Sequence, residues 1–99
     1  MKKLIILLVA LVSLTTAYCQ TAGEYFDMGV SKLQLEDYRG AIADFNKAID
    51  INPKYAEAYF YRGLSKGILG QLDLACLDFS KAGELGLGHA YDAINEKCN

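Results

Sequence analysis

Few side chains in this chain could do chemistry, and the two that stand out are cysteines. Cys76 lies eleven residues before Leu87 and Cys98 lies eleven after it. If the chain turns at Leu87 into an antiparallel helix pair, the two thiols arrive at similar height and could form a disulfide; the other reading is two buried free thiols. His89 is the only histidine, and no second histidine or cysteine stands beside it to complete a metal site. Ser31, Ser65 and Ser80 have no histidine at readable spacing, and no glycine-rich phosphate loop occurs, so nucleophilic and phosphoryl-transfer chemistry find no support. The acidic pair Glu36/Asp37 fits a turn and a helix start, where a carboxylate meets unpaired amides and the helix dipole. The residues point to no catalysis, no metal and no cofactor.

The segment before position 20 differs from the rest. Met1, Lys2 and Lys3 make a positive start, and Leu4 to Val12 form an unbroken apolar run that polar Ser13, Thr15 and Thr16 close. That run is too short for the roughly 20 residues of a membrane span, and it matches a secretory signal peptide over residues 1–19. Ala17 and Cys19 supply small residues for cleavage before Gln20, with cleavage after Ala17 as the alternative. A lipoprotein would be cut before Cys19 and anchored through it, but bulky Tyr18 stands where that chemistry wants a small residue. The expected location is the periplasm or the extracellular space, with the membrane involved only through the signal peptide or a lipid on Cys19.

Beyond position 19 there remain eight basic and twelve acidic residues, a net charge of about minus four, which disfavours a nucleic-acid partner. At about 80 residues this part holds one small core.

That core must be built from a repeat. Shifting the sequence by 34 residues aligns Ala22–Tyr55 with Ala56–His89 at twelve identical positions, against about two or three expected from composition. The pairs are Ala22/Ala56, Tyr25/Tyr59, Phe26/Phe60, Gly29/Gly63, Ser31/Ser65, Lys32/Lys66, Leu35/Leu69, Ala41/Ala75, Asp44/Asp78, Phe45/Phe79, Lys47/Lys81 and Ala48/Ala82. Spacings of three, four and seven put them on helix faces, so each unit should hold two amphipathic helices. Turn residues Glu36-Asp37 and Gly70-Gln71 divide the units, while Asn52-Pro53 and Gly86-Leu87-Gly88 end them. Helices are therefore predicted near 22–35, 38–51, 56–69, 72–85 and 89–98, and no segment alternates like a strand. Gly29, Ala41, Ala48, Gly63, Ala75 and Ala82 allow close helix approach, and Tyr25, Phe45, Tyr59 and Phe79 fill the space between. On the helix surfaces, Lys32/Glu36, Asp50/Lys54 and Asp78/Lys81 are spaced to attract.

A 34-residue two-helix unit carrying Tyr25, Gly29, Ala41, Phe45, Ala48 and Pro53 in that order resembles the tetratricopeptide repeat. The second unit matches through Tyr59, Gly63, Ala75, Phe79 and Ala82, with Leu87 in place of the proline. Met28 and Arg62 depart from a usual leucine, and Lys32 and Lys66 from a usual tyrosine. The tail from Lys81 to Cys98 also resembles a class of somewhat longer helix-pair repeats, but the 34-residue period favours the tetratricopeptide reading. The resemblance implies an all-α fold, a short right-handed superhelical solenoid of helix-turn-helix repeats. It would comprise a first repeat over 20–55, a second over 56–89 and a capping helix over 90–99.

The resemblance also implies a concave groove lined by the first helix of each unit, at Phe26, Asp27, Val30, Leu33, Glu57, Phe60, Tyr61, Leu64 and Ile68. The competing reading is that neighbouring helices or a second copy cover Phe26, Phe60 and Leu64. Val30 and Leu64 occupy the positions where family members that clamp a peptide carboxylate carry asparagine, so an apolar or helical ligand is expected instead. The function implied is an exported, non-enzymatic adaptor or scaffold that binds another protein or peptide. The alternative is a self-associating structural subunit of an envelope assembly, since arrays of two units and a cap are short.

Overall fold

A computed structural model describes residues 20–98; the signal peptide expected over residues 1–19, with its expected cleavage site and Cys19, lies outside the described residues. Five helices follow one another: α1 (Ala22–Gln34), α2 (Tyr38–Ile51), α3 (Ala56–Ile68), α4 (Leu72–Glu84) and α5 (Ala90–Lys97). Their ends lie within about a residue of those the period predicts, and no strand occurs among the described residues.

The helix starts use local acceptors where the sequence supplies them. Thr21 accepts from the main-chain N–H of Glu24 at 3.1 Å, and Asp37 accepts from that of Gly40 at 3.1 Å. Three helix ends share one geometry. The main-chain N–H groups of Asp37, Gln71 and Leu87 donate to the carbonyls of Lys32, Lys66 and Ala82, over 2.8–3.0 Å. This six-to-one bond needs a left-handed residue just before it. Glu36, Gly70 and Gly86 fill that place, with φ of 62°, 85° and 103°. Two of the three are glycine, the residue that takes this conformation without a Cβ clash.

Packing follows the repeat. α1 lies against α2 and α3 against α4; α3 also packs on α2, α5 packs on α4, and α1 reaches α3, giving a helical solenoid. The core is small against large: Ala41, Ala48, Ala58, Ala75, Ala82 and Ala90 are fully buried, and so are Phe45 and, but for 1%, Phe79. Gly29 and Gly63 make the approach possible, since a Cβ on either would collide with the ring of Phe45 or Phe79 respectively. Tyr25 and Tyr59, expected in the core with these rings, are only partly covered. Tyr59 directs its hydroxyl to the Pro53 carbonyl at 3.0 Å, a polar bond that keeps it at the edge.

The ion pairs differ from the surface pairs predicted from spacing. Lys32 lies 2.9 Å from Asp44, and Lys66 lies 3.1 Å from Asp78, each pair crossing from the first helix of a unit to the second. Lys32 and Lys66 thus stand where the family's tyrosine would, and neutralise a buried carboxylate. In the second unit Arg62 adds two hydrogen bonds to Asp78, at 2.9 and 2.7 Å, and a third to Asn46 Oδ1 on α2 at 2.9 Å. Met28 holds the matching place in the first unit, and Asp44 Oδ2 there has an ionic neighbour but no well-directed donor.

Cys76 on α4 and Cys98 at the end of α5 form a disulfide, with Cα atoms 5.8 Å apart. The bond ties the last helix to the second unit.

Candidate functional site

The residues assigned to the groove all sit on α1 and α3, because positions four and three apart on one helix share a face. Phe26, Val30 and Leu33 on α1, and Phe60, Tyr61 and Leu64 on α3, are partly covered; Asp27, Glu57 and Ile68 are exposed. Phe26 and Phe60 are therefore neither free nor lost in the core.

What holds them is a run of rings. Tyr55 stacks on Phe26 with centroids 5.1 Å apart, and Phe26 meets the edge of Tyr61 at 5.5 Å. Tyr61 meets Phe60 at 5.6 Å, and Phe60 meets His89 at 4.8 Å. The run therefore passes from the loop before α3, across α1 and α3, to the loop before α5. Beneath it lie the buried rings of Phe45, 5.8 Å from Phe26, and Phe79, 5.5 Å from Phe60. A row of rings seated on a packed core is held in place, and its outward faces offer apolar and π contact at small entropic cost.

Tyr55 and His89 were not among the residues assigned to the groove. They stand 34 residues apart, like the Phe26 and Phe60 they cover. The self-alignment pairs them, but as tyrosine with histidine, so a search for identities passes over them. A search for rings at matching positions would have found both.

The electrostatics are uneven. Burial pushes the Tyr55 phenol above its ordinary pKa, and the charges of Glu57 and Asp27 push it further. Arg62 lies over Tyr59, 5.3 Å from the ring centroid, with its own pKa raised chiefly by the hydrogen bonds to Asp78. The serines have structural partners: Ser31 donates to the Asp27 carbonyl at 3.1 Å and Ser65 to the Tyr61 carbonyl at 2.9 Å. Among the described residues no group of three His, Cys, Asp or Glu side chains gathers as a metal ion would need. No helix among them is long and apolar enough to cross a membrane. A shallow depression beside the α3–α4 turn, lined by Gly70, Gln71, Leu72, Asp73 and Leu74, lies outside the assigned set.

The family described as TPR repeat matches residues 29–67. The chain is 40% identical over 68 residues to a tetratricopeptide repeat protein 36 homolog of Nematostella vectensis, covering 69% of this chain and 38% of that protein. It is 37% identical over 76 residues to an uncharacterized protein of Methanocaldococcus jannaschii, covering 74% of this chain and 88% of that one. In three dimensions it is similar to the crystal structure of MamA, with a TM-score of 0.66 and 25% identity, over 76% of this chain and 49% of that chain. Thus the chain spans well under two thirds of the Nematostella relative and about half of the MamA chain. Such repeats form protein–protein interaction modules, and the shared period, sequence and fold together mean that this chain belongs to the tetratricopeptide repeat family.

Proposed function

We propose that this chain is an exported, non-catalytic interaction module whose α1–α3 face holds a segment of another protein. The observation that carries the reading is the run Tyr55–Phe26–Tyr61–Phe60–His89, a fixed row of rings along the face that the family fold turns toward its ligands. Val30, Leu33, Leu64 and Ile68 extend this face toward the helix C-termini with apolar side chains, and Ile68 is 56% exposed. Such a surface suits the apolar side of an amphipathic helix or an extended apolar segment. Export rests on residues 1–19 and the disulfide, a bond that persists in oxidising compartments.

The test is affinity capture with the purified chain and with Ile68→Asp, which places a charge on an exposed groove position without touching the core. Partners retained by the former and lost by the latter support the reading; identical partner sets refute it. Amino-terminal sequencing of the protein recovered outside the cytoplasm tests export, with Gln20 or Tyr18 expected first.

A second reading has its own observation. Leu74 and Leu77 on α4 are 46% and 67% exposed, an apolar pair one helical turn apart and away from the groove. Such a patch suits self-association. A molar mass that rises with concentration and falls on Leu77→Lys would favour it.

A further inference from the structure

One end of the ring run is flanked by two acids that no ion pair among the described residues uses. Asp27 follows Phe26 on α1 and Glu57 stands in the first turn of α3, two residues after Tyr55; both are exposed. Phe26 and Tyr55 stack at 27° between planes, and Asp27 and Glu57 stand one and two residues along the chain from these rings. Both act on the Tyr55 phenol, which puts both within electrostatic reach of one ring. Among the described residues the ion pairs join Lys32 to Asp44, Arg62 and Lys66 to Asp78, and Lys81 to Glu84; none uses Asp27 or Glu57.

The rest of the surface has the same sign. Of eight basic residues in the described chain, Lys32, Arg62 and Lys66 are taken up by two of its twelve acids, Asp44 and Asp78. Five basic side chains then face ten acidic ones. A cationic segment is drawn to such a surface, and a peptide ending in a free carboxylate is repelled.

We infer that the Phe26–Tyr55 end of the groove takes a basic side chain of the partner, arginine above all, from a segment whose apolar residues lie over Leu33, Leu64 and Ile68. This rests on the groove reading above and adds the charge of the partner to it. Arginine fits best because its planar guanidinium stacks on a ring while its edge donates to carboxylates, and it sheds water more readily than an ammonium.

The probe is a library of random peptides displayed on phage and selected on the purified chain. A parallel selection uses Asp27→Asn/Glu57→Gln, two exposed substitutions whose folding is checked by circular dichroism. The chain should enrich peptides carrying an arginine or lysine set apart from an apolar cluster, and the double variant should keep the apolar preference and lose the basic one. A synthetic selected peptide should bind the double variant about tenfold more weakly, and its own Arg→Gln version should lose about as much. Enriched peptides without basic residues, or equal affinity for the double variant, overturn the inference. If those peptides still fail on Ile68→Asp, the groove reading stands without it. Enrichment of no peptide at all overturns both.

Discussion

Arg62 grips Asp78 through two hydrogen bonds, Nε to Oδ2 at 2.9 Å and Nη2 to Oδ1 at 2.7 Å, while its remaining terminal nitrogen reaches Asn46 on the preceding unit. One side chain thus joins α2, α3 and α4. Asp78 is only 4% exposed, so its charge depends on these donors and on Lys66. Arg62→Met, which reproduces the first unit's Met28, leaves Lys66 alone to neutralise it. The expected cost is about 2 kcal/mol, read from the urea midpoint, with a smaller loss when Asp78→Asn is already present. Lys81→Met should change nothing measurable, since its partner Glu84 is exposed and 4.0 Å away.

The first unit's pair should show itself in alkali. Lys32 is held above its ordinary pKa of 10.5 chiefly by the Asp44 carboxylate, 2.9 Å from its ammonium. A cation whose pKa is raised by folding contributes fully below the ordinary value and loses that contribution as pH climbs through the folded value. The stability difference between the chain and Lys32→Met should therefore stay level from neutral pH to about pH 9 and shrink above about 10.5. A difference that grows in alkali would contradict the pairing. Thermal unfolding at a series of pH values measures it.

Two glycines can be tested against one another. A Cβ at Gly29 would stand 2.5 Å from Phe45 Cε1, and one at Gly63 would stand 2.9 Å from Phe79 Cε1 and 3.1 Å from the Ala75 carbonyl oxygen. Either alanine must push a buried ring aside, at a cost of about 1–3 kcal/mol. Gly88 has nothing within 4 Å, and Gly88→Ala should be neutral or slightly stabilising. Circular dichroism melts would rank the three.

The period made the fold legible because each repeated residue type answers to one packing need. Gly29 and Gly63 recur because Phe45 and Phe79 recur, and an identity search sees both at once. The ion pairs were less legible. Lys32 and Asp44 are each repeated 34 residues on, yet twelve residues separate them, so neighbour spacing along one helix pairs Lys32 with Glu36 instead. Only the folding of α2 back on α1 brings Asp44 near. The ends of the ring run escaped for another reason: Tyr55 and His89 share a place and a ring but not an identity. Chemistry at matching positions, more than matching letters, carries that part of the site.

The disulfide should matter most where the core is thinnest. α5 has eight residues and one fully buried side chain, Ala90, and an isolated helix of that length is not stable in water. The Cys76–Cys98 bond closes a loop spanning 22 positions, which should contribute about 3 kcal/mol by restricting the unfolded chain.

The left-handed turns at Glu36 and Gly70 supply the sharpest comparison of sequence with backbone. Glu36 and Gly70 occupy the same place in successive units, with φ of 62° and 85°, so each unit tests the other's residue. A side chain in this conformation costs about 1 kcal/mol, because its Cβ crowds the following carbonyl. Gly70→Ala should lose about that much, and nothing lies within 4 Å of the added carbon to blame instead. Glu36→Gly should be neutral or gain up to about 1 kcal/mol, since relief of strain is offset by the greater freedom of glycine in the unfolded chain. Chemical unfolding of both variants measures the pair. Opposite signs would locate the strain in the backbone of the turn, whereas a loss in both would mean that Glu36 makes a contact worth more than the strain it bears.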